Sequence, residues 1–203
     1  MRVLWLATEL DLQFAHVAYE FNDPALKSSD FLRWNPAGTI PTIVDDTFAL
    51  SESLAINLYL AKKHQRRTPE NLYGSNAQEE ANIWRWSLWA QGHLEPWVQK
   101  DLLLADLIKA IGDLGRSMIY RSLAVLDRAL ADDPWLVGSR FTVADLNVAA
   151  VLSPSRSGAL DLTRCPNVSR WLNRCYSRPA AVAARRRFQS GTTTTGPSDA
   201  APA

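Results

Sequence analysis

The chain has 203 residues, 47% of them apolar and 21% charged, the proportions of a soluble globular protein and not of a disordered one. Its 22 Lys and Arg stand against 21 Asp and Glu, a formal charge of +1, so no global basic field exists to draw nucleic acid or a membrane surface. Two cysteines, Cys165 and Cys175, and three dispersed histidines, His16, His64 and His93, exclude a disulfide scaffold and a local metal-ligand motif. No apolar run approaches the ~20 residues of a membrane span, and Glu9 and Asp11 interrupt the apolar opening too soon for a signal peptide. A reduced, cytoplasmic setting is the expectation.

Val3, Leu4, Ala7 and Leu10 recur at helical spacing and predict a short amphipathic helix at the start. Phe14 to Phe21 reads as a strand, ended by Asn22-Asp23-Pro24. A short helix from Asp30 to Trp34 closes at Asn35-Pro36-Ala37-Gly38. Thr42 to Val44 and Phe48 to Leu50, separated by Asp45-Asp46-Thr47, form a hairpin on this reading. Ser51-Glu52-Ser53 then opens a helix from Leu54 to about Lys63. His64 to Asn76 contains Pro69, Gly74 and many polar residues, and is read as a linker.

Beyond the linker the periodicity is helical. Gln78 to Leu104 reads as one long helix, kinked at Pro96 because an internal proline removes a hydrogen bond. Lys109 to Ala131 is a second, stopped at Asp132-Asp133-Pro134. Val143 to Leu152, Pro166 to Ser177 and Pro179 to Phe188 are shorter, the last two with Pro at the first helical position. The Thr-rich tail is expected to be disordered.

Three constellations bear on folding or binding. Thr142 and Asp145 have the spacing of a capping box, with Phe141 and Leu146 at the flanking apolar positions, which is a folding signal. The segment Asn35 to Thr42 carries two prolines around Gly38 and leads straight into a strand. With Ile40–Pro41 cis, the backbone of Ile40 would face outward, an edge able to bind a peptide-like ligand as an added strand; a plain rigid turn accounts for the same residues. Ser51-Glu52-Ser53 reads as ordinary capping. Equally, free N–H groups at a helix start attract a carboxylate, and Glu52 beside them could pair with an ammonium, together matching an α-amino acid head group. Trp86, Trp89, His93 and Trp97 share one helix face, a stripe more often core than pocket. Cys165 and Cys175 match no redox or metal spacing and are read as structural.

Five segments, FLRWNPAGTIPTI (31–43), ALSESLAINLYLA (49–61), HLEPW (93–97), WLVGSRFTVADL (135–146) and CPNVSRWLNRCYSRPA (165–180), in this order resemble the cytosolic glutathione transferase family of bacterial type over roughly residues 1–188. The resemblance implies an α/β thioredoxin-like domain at 1–63, a linker at 64–77, an all-helical domain at 78–188, a disordered tail at 189–203, and a homodimer. It implies a glutathione site at Thr39, Ile40 and Pro41 for the peptide portion and at Glu52 and Ser53 for the γ-glutamyl group. Trp89, His93 and Trp97 resemble the wall of the family's hydrophobic substrate pocket. Glutathione is then a co-substrate with a small apolar electrophile in a detoxifying conjugation. No further cofactor, metal, nucleic-acid or membrane partner is expected.

In that family a strand and a loop precede the first helix, and the loop supplies the Ser, Tyr or Cys that acts on the glutathione sulfur. Here the opening residues already read as that helix. The thioredoxin-like domain is therefore expected to be truncated, no catalytic residue is nominated, and a start upstream of Met1 is expected. A glutathione transferase is the leading reading. A non-catalytic glutathione-binding or protein-interaction module of the same fold is the alternative, and disulfide exchange is discounted because the first domain has no thiol.

Overall fold

The computed structural model describes residues 1–98, 109–153 and 160–191, with backbone only for 109–113. They fall into two compact units, one of residues 1–64 with the final helix, the other of 65–178. In the first unit the opening apolar periodicity becomes α1 (Arg2–Glu9), whose Trp5 and Leu6 are fully buried. A single 3₁₀ turn (Pro24–Lys27), capped by Asp23 accepting from the Ala25 amide, leads into α2 (Ser29–Trp34), capped by Ser28. Strands β1 (Thr42–Asp45) and β2 (Phe48–Ser51) pair antiparallel, with Thr42 opposite Ser51 and Asp45 opposite Phe48. Helix α3 (Ser53–Lys63) buries Leu54, Ile56, Leu58 and Leu60 and packs on the hairpin and on α1. At the far end of the hairpin, Asp45 accepts from Tyr59 Oη at 2.8 Å and from Lys63 Nζ at 2.6 Å. The lysine bond holds Asp45 below the usual carboxylate range and Asp45 raises the Tyr59 phenol, a tie of sheet to helix.

The second unit begins with α4 (Ala77–Trp89), capped by Asn76, and continues into a π-helical turn at Ala90–Leu94. Helix α5 (Lys109–Ala129) contributes buried Ile119, Leu123 and Leu126. At the centre lies α6 (Val143–Val151), every residue of which is buried. Helix α7 (Pro166–Tyr176) packs Val168, Trp171 and Cys175 inward. The Thr142–Asp145 capping box forms as its spacing predicts. Asp145 does more than cap: its carboxylate accepts from the Thr142 amide at 2.9 Å, Thr142 Oγ1 at 3.1 Å, the Leu136 amide at 2.9 Å and Trp171 Nε1 at 2.9 Å. Burial pushes its pKa up, and those donors pull it back.

One expectation is corrected. Phe14 to Phe21 forms no regular strand: only His16 makes a bridge, while side-chain exposure alternates from Leu12 to Ala18 as in an extended chain. The alternation was legible, but a strand also needs a neighbour to complete its ladder, and the sheet among the described residues has two strands, β1 and β2. Just before Pro96, where the kink is expected, the helix passes through the π turn, in which the Glu95 amide bonds Ala90 O five residues back. A wider turn carries the chain past a proline that cannot donate. The last helix, α8 (Pro179–Ser190), packs on α1 and clusters with the first unit. It extends through Ser190; residues 192–203, like the continuation of the long helix through 99–104, lie outside the described residues. Cys165 and Cys175 are both buried and not in a disulfide, the former raised in pKa by burial, in keeping with a structural role.

Candidate functional site

The hairpin register brings two separate sequence features together. Because Thr42 pairs with Ser51, the loop entering β1 and the turn leaving β2 lie at one end of the sheet. The first contributes Thr39, Ile40 and Pro41, the second Glu52 and Ser53. The Ile40–Pro41 bond is cis. Thr39 and Pro41 are exposed and Ile40 half-buried. Glu52 precedes α3 with φ 68° and ψ 112°, outside the regions that L residues favour; its side chain is exposed and makes no capping bond. Such a conformation costs on the order of 1–3 kcal/mol, and strain of this kind gathers at ligand-binding turns. The first-turn amides of α3 point out of the helix end without intrahelical acceptors.

Three residues that the sequence reading missed hold this end in place. Asn35, 3% exposed, donates from Nδ2 to Thr39 O at 2.8 Å, to Thr39 Oγ1 at 3.2 Å and to Thr42 Oγ1 at 3.1 Å, and accepts from the Ala37 amide. Lys27 Nζ donates to Ala37 O and Gly38 O, both at 3.1 Å. Arg2 of α1, itself buried, donates from Nη1 to Ser53 Oγ at 2.7 Å. Asn35 within an Asn-Pro turn was the one detectable signal, since a buried Asn must spend its polar atoms on something. Lys27 and Arg2 are brought there only by the chain path.

Gly38 is required by the same loop. Its φ is 61°, and a Cβ would sit 2.6 Å from Lys27 Nζ and 2.8 Å from the Leu26 carbonyl oxygen. The backbone oxygen cannot swing away as a side chain can. Gly38→Ala is expected to destabilise the protein by about 1–3 kcal/mol, read from the urea midpoint.

Trp89, His93 and Trp97 lie in the other unit, spaced four apart along α4, its π turn and the helical residues that follow. Trp89 and Trp97 are half-buried and His93 is exposed. Trp86, 4% exposed, stacks edge-to-face on Trp89 with ring centroids 5.2 Å apart. The aromatic stripe is therefore core on its Trp86 side and accessible at His93.

Residues 1–63 match the family model described as "Glutathione S-transferase, N-terminal domain", and residues 115–179 match "Glutathione S-transferase, C-terminal domain". The chain is 30% identical over 195 residues to Glutathione S-transferase 3 of Zea mays, covering 89% of this chain and 85% of that one. It is 33% identical over 145 residues to Glutathione S-transferase D7 of Drosophila melanogaster, covering 70% and 64%. Elongation factor 1-gamma of Homo sapiens is 31% identical over 166 residues, with 75% and 35% covered. The chain thus spans just under two thirds of the Drosophila relative and about a third of the elongation factor. Among solved structures, Ure2p in complex with glutathione superposes with a TM-score of 0.82 at 22% identity, over 90% of this chain and 91% of that one.

Proposed function

The chain belongs to the glutathione S-transferase family, and from that premise we propose that it binds glutathione at the β1/α3 end of the hairpin and conjugates its thiolate to small apolar electrophiles. The observation that supports this reading is the register, in which Thr42 lies opposite Ser51, so that the loop carrying Ile40 and the turn carrying Glu52 and Ser53 leave the same end of the hairpin. The cysteinyl backbone of glutathione pairs with Ile40 as an added strand, with Thr39 and Pro41 flanking it. The γ-glutamyl carboxylate accepts from Ser53 and the α3 amides, favoured by the helix dipole. The Glu52 carboxylate takes the γ-glutamyl ammonium.

The reaction is nucleophilic displacement or addition: glutathione sulfur loses its proton, forms a bond to the electrophilic carbon, and the leaving group, if any, departs with the electron pair. A free thiol has pKa ~8.5 and is mostly protonated at neutral pH, so stabilising the thiolate is the main electrostatic task. Trp89, His93 and Trp97 are proposed as apolar wall for the electrophile, residues 1–63 as the glutathione-binding domain and 78–188 as the helical one. We further propose a cytoplasmic homodimer. Trp84 and Leu88 on α4 and Val125 on α5 are about half exposed, the kind of apolar surface that a second subunit covers.

Ser53→Ala is expected to weaken glutathione binding by about 1–2 kcal/mol, through loss of a hydrogen bond to a charged group. Calorimetry tests it: a wild type that binds glutathione and a variant of equal affinity would remove Ser53 from the site. A second reading is a glutathione-binding or protein-interaction module without turnover, supported by the likeness to elongation factor 1-gamma, whose name is not that of a transferase. An aryl halide assay separates the two, since a module binds glutathione and leaves the halide intact.

A further inference from the structure

We propose that the groove between α4 and α5 binds a compact aryl carboxylate, its head group held by Arg85, Arg128 and the Trp86 indole. A cavity of about 330 Å³ opens there, lined by Arg85, Trp86, Ala124, Val125, Arg128 and Ala129. That volume lies at the small end of ligand pockets. Three apolar side chains supply a floor for a ring, and two guanidiniums supply charge. None of these residues is among those proposed for glutathione or for the electrophile.

The observation that points to a ligand is the indole. Trp86 is 4% exposed, and its Nε1 is buried with no hydrogen-bond acceptor among the described residues. Buried donors are rarely left so, because the cost of taking them out of water then goes uncompensated. Two other indoles, both fully buried, show what such a group takes in this fold. Trp5 Nε1 donates to Glu9 Oε1 and Trp171 Nε1 to Asp145 Oδ1, both at 2.9 Å. In each case the acceptor is a carboxylate. No carboxylate lines the groove at Trp86, so there the acceptor is one that a ligand brings.

Charge selects the same ligand. Arg85 and Arg128 are both exposed, and neither pairs with an acidic side chain among the described residues. Arg85 lies over the Trp86 ring, its Cζ 4.8 Å from the centroid. A cation resting on an aromatic face at an exposed position is weakly held. A charge-assisted, bidentate bond to a carboxylate is stronger. Arg85 therefore turns from the ring to the incoming oxygen pair, and that movement uncovers the indole N–H. A cationic or neutral ligand offers nothing in exchange for the lost ring contact. Arg128, in the last turn of α5, meets the same head group from the other helix, while the aryl ring lies on Ala124, Val125 and Ala129.

The test is calorimetry of 1-naphthoate on the full chain, with 1-naphthamide as its uncharged isostere. Val125 also belongs to the surface proposed to meet a second subunit, so the chain is used in the assembly it forms in solution. Wild type should bind the naphthoate about tenfold or more tightly than the naphthamide. Arg85→Gln and Arg128→Gln should each lower naphthoate affinity about tenfold, and the double variant should bind both ligands alike. Glutathione affinity should stay within about twofold of wild type in all of these variants, which separates this site from the hairpin. Trp86→Phe keeps a ring and removes the N–H, and naphthoate affinity should fall about fivefold. If that variant does not fold, the arginine variants decide, because both side chains are exposed. A wild type that binds neither ligand, or binds them equally, would overturn the proposal. So would arginine variants that keep the wild-type preference, since the naphthoate would then sit elsewhere. Loss of glutathione affinity in step with naphthoate affinity would overturn it too, by showing one shared site.

Discussion

Asp145→Ala is expected to lower the stability of the protein by about 3–5 kcal/mol, measured by urea denaturation followed through tryptophan fluorescence. The substitution strips the acceptor from two backbone amides, an indole N–H and a hydroxyl at once. Each buried donor left without a partner costs about 1–3 kcal/mol, and losses within one network do not simply add. The site is fully buried at the start of the central helix, so water cannot replace the carboxylate. Against a typical total stability of about 5–15 kcal/mol, failure to accumulate as soluble protein is the expected outcome in cells. Asp145→Asn keeps one acceptor oxygen and should cost about half as much. Thr142→Ala, which removes only the hydroxyl, should cost about 1 kcal/mol. That ranking is the discriminating result: a pure cap would make the Thr142 and Asp145 variants equal.

The second large effect concerns Arg140, which closes the segment before α4 onto the segment before α6. Its Nε donates to Asn71 O at 2.8 Å, its Nη2 to Tyr73 O at 3.0 Å and to Glu79 Oε2 at 2.7 Å, and its Nη1 to Glu79 Oε1 at 3.2 Å. The guanidinium, helped by the Ser75 amide, draws the Glu79 pKa down from 4.5 to about 2. A carboxylate depressed in the folded state stabilises the protein above its unfolded pKa, and that stabilisation is lost as pH falls through the folded value. The Glu79 contribution is therefore fully present at neutral pH and disappears between about pH 5 and pH 2. Arg140→Met is expected to cost about 2–3 kcal/mol at pH 7. The gap between wild type and variant should narrow by about 1–2 kcal/mol on acidification to pH 2, allowing for the partial exposure of the pair. Asp145 works in the opposite sense, because its folded pKa is raised and protonation relieves the cost of burying charge. Comparing the two proteins at each pH cancels that background. A gap that stays constant from pH 7 to pH 2 would show that Arg140 acts through the Asn71 and Tyr73 carbonyls and not through Glu79.

What the amino-acid order determined by itself was local. The helices α1, α2, α3, α6, α7 and α8 follow from apolar spacing, caps and prolines, each of which acts within a few residues. The Thr142–Asp145 box and the β1–β2 hairpin are local in the same sense, and so were read without a fold. The family was legible because five such segments occur in order. What only the tertiary structure decided is where distant groups meet. Phe14–Phe21 carries strand-like residues, yet ladder bonds come from a neighbour, and composition cannot supply one. The cation that seats on Ser53 comes from Arg2, the acceptor for the Trp171 indole is Asp145, and the site loop is held by Asn35 and Lys27. Side chains reach across such separations only once the chain has folded, because contacts between distant residues are set by packing and path and leave no periodic trace.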